Sequence, residues 1–202
     1  MKSKTEAKRQ AILDVATQAF RELGYERTSM SEIRARVGGS KATLYNYFKS
    51  KEELFFESIF LSIEDEFEAV HSALDANSEN IRESLYNFGE RFLTFLYAPD
   101  MFANRKLTIT ESARTNLGKI AFERGLSRSH GIIENFLSEA IKLQKLKECD
   151  VVVATKHLCA LLESEILMQF LMNVKNEISA DEIKEITKRA VDVFILAYGV
   201  CK

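Results

Sequence analysis

The chain has 202 residues, of which 46% are hydrophobic and 29% are charged, and its formal net charge is −2. A chain of this kind can bury a real core, in one large or two small domains. No apolar run approaches the roughly 20 residues of a membrane-spanning helix, and the start, MKSKTEAKRQAILDV, lacks the apolar segment of a secretory signal. We therefore expect a cytoplasmic protein, with its three widely spaced cysteines reduced.

The charge is distributed unevenly along the chain. Residues 1–51 hold eleven Lys and Arg against five Asp and Glu, whereas residues 52–202 hold 17 against 25. Chance clustering is one explanation. The other is a module that binds a polyanion, attached to an acidic body, because Lys and Arg gain affinity by releasing counterions from phosphates.

The first three predicted helices are short and have recognisable ends. The single proline and the lack of alternating polarity indicate an all-α chain of about nine helices. Apolar residues at helical spacing predict a first helix over 5–23, which ends at Gly24. A second helix over 29–37 starts with a Ser-x-x-Glu capping box and stops at a glycine pair, and a third covers 40–48.

The remaining elements are longer and carry most of the aromatic residues. A second Ser-x-x-Glu box at Ser50 starts the fourth helix, within which we expect the two domains to meet. Glycines in the seventh helix make a kink or break plausible. The six predicted helices cover residues 50–73, 81–97, 104–113, 116–146, 150–173 and 179–199.

Three short helices with a glycine turn describe a helix-turn-helix unit, with its motif at about 29–48. Leu44 and Phe48 share one face of the third helix, which we expect to pack on the first two. The other side offers side chains that can contact bases or phosphates. These are Lys41, Ala42, Thr43, Tyr45, Asn46 and Tyr47, with Lys51 at the next helix as a phosphate contact. Tyr45 and Tyr47 can also be read as core residues, but the turn, the caps and the local charge favour DNA.

Residues 11–55, AILDVATQAFRELGYERTSMSEIRARVGGSKATLYNYFKSKEELF, resemble the DNA-binding domain of TetR/AcrR-type transcriptional regulators. The resemblance implies a homodimeric all-helical repressor, with a DNA-binding domain at 1–51 and a ligand-binding and dimerisation domain at 52–202. It also implies that Thr28 meets phosphate at the start of the second helix. Two positions depart from the family pattern: Arg34 stands where alanine is usual, and Gly39 where an apolar residue is usual. Arg34 is expected to point outward.

The C-terminal region supplies candidate effector contacts but no transferable motif. The candidates are Phe67, Phe92, Phe122, His130 and Glu163. Most of the phenylalanines are expected to fill the core, and His130 is more often a core or surface histidine. Glu163 stands in an apolar run, so it must reach solvent, form a salt bridge across a dimer, or meet a ligand, which would then be cationic or a hydrogen-bond donor.

Residues 150–173 are apolar on nearly all sides and residues 180–199 carry an apolar stripe, and together they predict a homodimer interface and a palindromic site. The leading hypothesis is a repressor that a small apolar effector releases from operator DNA. The alternative is a protein of the same fold that binds a ligand or acts as a scaffold without reading DNA. No catalytic motif is present in the sequence, so an enzyme is not expected, and neither is a metal or another cofactor.

Overall fold

The computed structural model describes residues 4–200, which divide into two compact units. The first unit contains residues up to Glu64 together with Glu111–Phe122, and the second contains Asp65–Thr110 and the residues from Glu123 onward. The division therefore falls inside the fourth helix, between Glu64 and Asp65. A segment from the middle of the chain also belongs to the N-terminal unit.

The N-terminal unit is built from short helices packed around apolar side chains. Helix α1 covers Lys4–Arg27 with a break at Gly24, where φ is 77°, so the predicted helix end at this glycine is confirmed. Helices α2, α3, α4 and α7 cover Met30–Val37, Lys41–Tyr47, Lys51–His71 and Leu117–Ala121, and α4 continues into the second unit. Three rings, of Phe20, Tyr25 and Phe55, contact one another with centroids 4.7–6.1 Å apart. Their burial fixes α1 and α4 together.

The second unit holds a larger helical core. Its helices are α5 (Ile81–Leu96), α6 (Pro99–Glu111), α8 (Ser127–Lys142), α9 (Val151–Glu163), α10 (Leu167–Leu171) and α11 (Ala180–Tyr198). Phe88 of α5, Leu158 of α9 and Phe194 of α11 are fully buried in one cluster. At Gly89 the packing is so close that an added Cβ would lie 2.6 Å from the Thr187 Cγ2 atom. The absence of a side chain at this glycine lets α5 and α11 approach.

Three predicted helices differ from the structure. The sixth begins at Pro99, since proline is well tolerated at a first helical position, where no backbone donor is needed. The predicted seventh contains a π-helical turn at Phe122–Leu126, which includes Gly125, one of the glycines at which a kink or break was expected. The predicted eighth does not run unbroken to residue 173. It stops at Glu163, where the Ser164 hydroxyl donates to the Leu161 carbonyl at 2.8 Å and closes the turn.

Candidate nucleic-acid interface and effector cavity

Helix α3 is held at both ends and along one face. The Ser40 hydroxyl accepts a hydrogen bond from the Thr43 amide at 3.1 Å, and the Phe48 amide donates to the Leu44 carbonyl at 3.0 Å. Leu44 and Phe48 are 3% and 1% exposed, as their shared face predicted. Leu44 and Phe48 hold one face of α3 against the core. The rest of the helix surface, called here the outward row, therefore faces away from the core.

The predicted recognition residues occupy that outward row. Lys41, Ala42 and Asn46 are exposed, whereas Thr43, Tyr45 and Tyr47 are half-buried. The Lys41 ammonium lies 5.6 Å from the centre of the Tyr45 ring, within the range of a cation–π contact. The structure therefore brings all six side chains together on one short helix, with a cation, a hydroxyl, an amide and two phenols available to a partner.

Two glycines join α2 to α3. Gly38 and Gly39 have φ values of 73° and 100°, which non-glycine residues rarely adopt. An added Cβ at either position would meet no atom within 4 Å, so the backbone conformation alone selects glycine here. The departure at Gly39 from the family pattern thus accompanies a turn made of two consecutive left-handed residues.

The side chain of Thr28 faces the protein interior. It is 1% exposed, and its hydroxyl lies 2.8 Å from the Gly24 carbonyl oxygen and 3.2 Å from that of Ala19. The hydroxyl is therefore committed to the backbone of α1. The predicted phosphate contact of Thr28 stays a prediction, and its hydroxyl would have to leave these carbonyls to make it.

Lys51 is fixed by its own unit. Its ammonium lies 4.0 Å from the centre of the Tyr25 ring and 3.4 Å from the Glu26 carbonyl oxygen. Burial lowers the pKa of this ammonium, while Glu52, Glu111 and Glu26 act in the opposite direction. The Lys51 ammonium is thus held in place by Tyr25 and Glu26, and nearby carboxylates offset part of its charge. Its predicted phosphate contact stays a prediction.

The two arginines of α2 behave differently. Arg34 is exposed, in agreement with its expected outward placement. Arg36 forms ion pairs with Glu22 at 2.6 Å and Glu32 at 2.9 Å, and the hydrogen bonds that it donates to these carboxylates raise its pKa. The Glu32 pair joins residues four apart on one helix and could be recognised in the sequence. The Glu22 pair joins α1 to α2 and could not.

The candidate effector residues do not converge on one cavity. Phe67 is buried beside the His71 ring at 4.2 Å, and Phe92 is buried against Phe88. Phe122 is 58% exposed and belongs to the N-terminal unit. His130 is half-buried, and burial lowers its pKa. Phe67 and Phe92 therefore fill the core, as most of the rings were expected to do.

Glu163 forms an ion pair within its own chain. Its two carboxylate oxygens accept hydrogen bonds from the Arg105 guanidinium at 2.5 and 2.7 Å, and the Tyr97 hydroxyl donates at 2.8 Å. Burial alone would lower the pKa of Arg105, but the carboxylate outweighs it and the net shift is upward. Burial and the Glu163 charge raise the pKa of Tyr97. Neither solvent exposure nor a salt bridge across a dimer, two of the three possibilities considered from the sequence, describes this side chain, which is 13% exposed.

A cavity of about 370 Å³ lies next to this ion pair. It is lined by Tyr97, Pro99, Phe102, Ala103, Lys106, Phe170, Asn173 and Asn176. None of the five candidate effector residues is among them. No sequence pattern pointed to this set, because residues 97–106 and residues 170–176 lie more than 60 residues apart in the chain.

No helix within residues 4–200 is both long and apolar enough to pass through a membrane. No group of three or more His, Cys, Asp or Glu side chains there is placed to hold a metal ion.

Two family models match the chain, one for each part. The model of bacterial regulatory proteins of the tetR family matches residues 12–57. The model of the C-terminal domain of AefR-like transcriptional repressors matches residues 83–200, more than half of the chain. The boundary between the two matches lies outside the helix-turn-helix motif.

Individual relatives agree with these matches. The chain is 25% identical over 146 residues to the uncharacterized HTH-type transcriptional regulator YhgD of Bacillus subtilis. The aligned region covers 71% of this chain and 74% of that protein. A TetR-family regulator structure from Mesorhizobium loti is 25% identical, with a TM-score of 0.82 over 98% of this chain and 100% of that one. The flavonoid-responsive regulator FrrA is 24% identical, with a TM-score of 0.76 over 97% and 99% of the two chains, and shows the same fold.

Proposed function

This chain belongs to the TetR family of bacterial transcriptional regulators, and we propose that it is a homodimeric repressor that a small molecule releases from a palindromic operator. The observation that carries the proposal is the outward row of α3. Buried Leu44 and Phe48 fix the helix, while exposed Lys41 and Asn46 are left free to reach DNA. A cation on one side and an amide on the other suit phosphate and base-edge contacts.

The sense of regulation follows from the C-terminal match, whose model describes a transcriptional repressor. A response to a small molecule is supported by FrrA, which is named for its response to flavonoids and shares the fold. In this proposal the unliganded dimer binds DNA and the effector lowers its affinity. Effector and operator then affect each other's binding by the same factor.

The dimer is proposed to form through residues 150–173 and 180–199. Large apolar side chains on this part of the chain are exposed in the isolated chain, among them Val152, Val153, Met168, Val193 and Leu196. Leu196 is 80% exposed, which is unusual for a leucine in the last turns of a helix unless a partner covers it. A two-fold dimer would present two α3 helices to two half-sites of opposite orientation.

Chain continuity offers a route between effector and DNA. Helix α4 supplies residues to both compact units, with Glu64 in one and Asp65 in the other. Helix α6 does the same, with Thr110 in one and Glu111 in the other. A change in either helix within the second unit is therefore transmitted through its own backbone to the unit that carries α3.

The experiment is a selection from random duplex DNA with the full chain, followed by fluorescence anisotropy on the recovered site. Lys41→Ala and Tyr45→Ala should each weaken binding about tenfold or more while the protein stays dimeric. Lys41→Ala should also lower the slope of log K against log salt by about 1 if the ammonium contacts a phosphate. Lys142→Ala, an exposed lysine of α8, is the matched control.

Recovery of a palindrome whose affinity depends on α3 would support the proposal. Full binding by both α3 variants would overturn the assignment of that helix. Failure to select any sequence would overturn the operator itself and leave the scaffold hypothesis.

A further inference from the structure

The cavity beside the Arg105–Glu163 pair is lined by three aromatic rings whose arrangement suits a planar aromatic ligand. The Tyr97 and Phe102 rings are stacked with centroids 5.3 Å apart. The Phe170 ring meets both edge-on, at 4.7 and 5.2 Å. Aromatic groups prefer these offset and perpendicular arrangements, so a further ring placed against this cluster would continue the same packing.

The charge at the cavity is positive. Lys106 is the only charged side chain among the described residues that line it. Its ammonium donates to the Asn173 side-chain oxygen at 2.5 Å, which holds it near the cavity. Lining amides of Asn173 and Asn176 add hydrogen-bonding groups without charge.

The neighbouring carboxylate is not available to a cation. Both oxygens of Glu163 are occupied by Arg105, and one also accepts from the Tyr97 hydroxyl. The suggestion of a cationic effector depended on Glu163 facing the pocket. Since Tyr97 stands at the wall and Glu163 is not a lining residue, that suggestion does not hold.

From this geometry we infer that the cavity is the effector site and that its ligand is a small aromatic anion, such as an aromatic carboxylate. Only the role of this ligand as an effector rests on the proposed function. About 370 Å³ is near the lower end of the range for small-molecule pockets, so the ligand is a compact molecule of about two rings. Its ring packs against Tyr97, Phe102 and Phe170, and its anionic group pairs with Lys106.

Helix α6 connects the cavity to the unit that carries α3. Pro99, Phe102, Ala103 and Lys106 follow the spacing of one helix face. The same helix ends at Glu111, which belongs to the unit that carries α3. A ligand that displaces this face moves a helix whose last residue lies in the DNA-binding unit.

The test uses the anion 2-naphthoate as the probe. The comparison ligand is 2-naphthylmethylammonium, which carries a positive charge on the same ring system. The chain has no tryptophan, so naphthalene fluorescence reports binding to the full chain with little background. We expect 2-naphthoate to bind at least tenfold tighter than the cation. Lys106→Gln should weaken 2-naphthoate roughly tenfold, the loss of one charge-assisted hydrogen bond, and leave the cation no weaker.

A second variant fills the cavity without removing a core side chain. Ala103→Leu adds volume at the wall on an exposed helical residue, and it should abolish 2-naphthoate binding. Ala69→Leu and Lys142→Gln place the same changes on exposed helical positions that do not line the cavity. Both controls should bind 2-naphthoate as the unmodified chain does.

Equal or tighter binding of the cation would overturn the ligand class. Unchanged 2-naphthoate binding by Ala103→Leu would overturn the site. Operator binding without probe is measured on the same proteins: a chain that binds its operator but not 2-naphthoate refutes this inference alone. A chain that binds 2-naphthoate at this cavity but selects no DNA refutes the proposed function alone.

Discussion

Replacing Gly38 by alanine tests whether the turn between α2 and α3 depends on glycine. The residue has φ 73° and ψ 163°, a region that only glycine adopts readily. An alanine Cβ would meet no atom within 4 Å, so no packing term opposes or favours the change. The cost is that of the backbone conformation, about 1–3 kcal/mol.

Replacing Gly131 by alanine is the same substitution, but its expected effect on stability has the opposite sign. It lies inside α8, and an added Cβ there also meets no atom within 4 Å. Alanine is the better helix former, so Gly131→Ala should stabilise the protein by about 0.5–1 kcal/mol. The two variants add an identical methyl group and differ only in the backbone conformation that receives it.

Thermal unfolding followed by circular dichroism measures both effects. For a chain of this length 1 kcal/mol corresponds to about 2–4 °C, so Gly38→Ala should lower Tm by roughly 2–12 °C and Gly131→Ala should raise it by about 1–4 °C. Hydrogen exchange should locate the loss in the α2 and α3 amides. A Gly38→Ala protein as stable as the parent chain would refute the assignment of the turn to glycine conformation.

Three further predictions concern the second unit. Glu163→Gln should destabilise the chain by about 3 kcal/mol, because it leaves the largely buried Arg105 guanidinium without its carboxylate. Gly89→Ala should cost about 1–3 kcal/mol, because the new Cβ would lie 2.6 Å from the Thr187 Cγ2 atom. Both are measured by urea unfolding. Burial lowers the pKa of His71, so the unfolded chain binds a proton at a higher pH than the native one does. Stability should therefore fall as the pH drops below about 6.5 toward the lowered native pKa, as measured by unfolding at a series of pH values.

Each of these has its own control. Glu165→Gln breaks an exposed pair with Arg189 and should cost less than about 1 kcal/mol, so an equal loss in both variants would contradict the buried-pair argument. Thr187→Ser removes the clashing methyl and should recover part of the loss in Gly89→Ala. His71→Gln should flatten the pH profile, and a profile unchanged by it would assign the slope to other groups.

Local signals predicted the DNA-binding unit well. Ser40 caps α3 because a hydroxyl one residue before a helix can accept from its third amide, and the structure contains that bond at 3.1 Å. Leu44 and Phe48 are buried because residues four apart share a helix face. Gly24 interrupts α1 as its residue type suggested. Each of these features depends on residues within one or two turns of each other.

What the sequence by itself determined is therefore the all-α class, the caps and glycine turn of the first three helices, and the outward row of α3. The tertiary structure alone decided which distant groups meet. Arg105 and Glu163 stand 58 residues apart, and Tyr97 reaches Phe170 across an even longer separation. Periodicity fixes which face of a helix is apolar, but the pairing of faces depends on how all the helices pack at once.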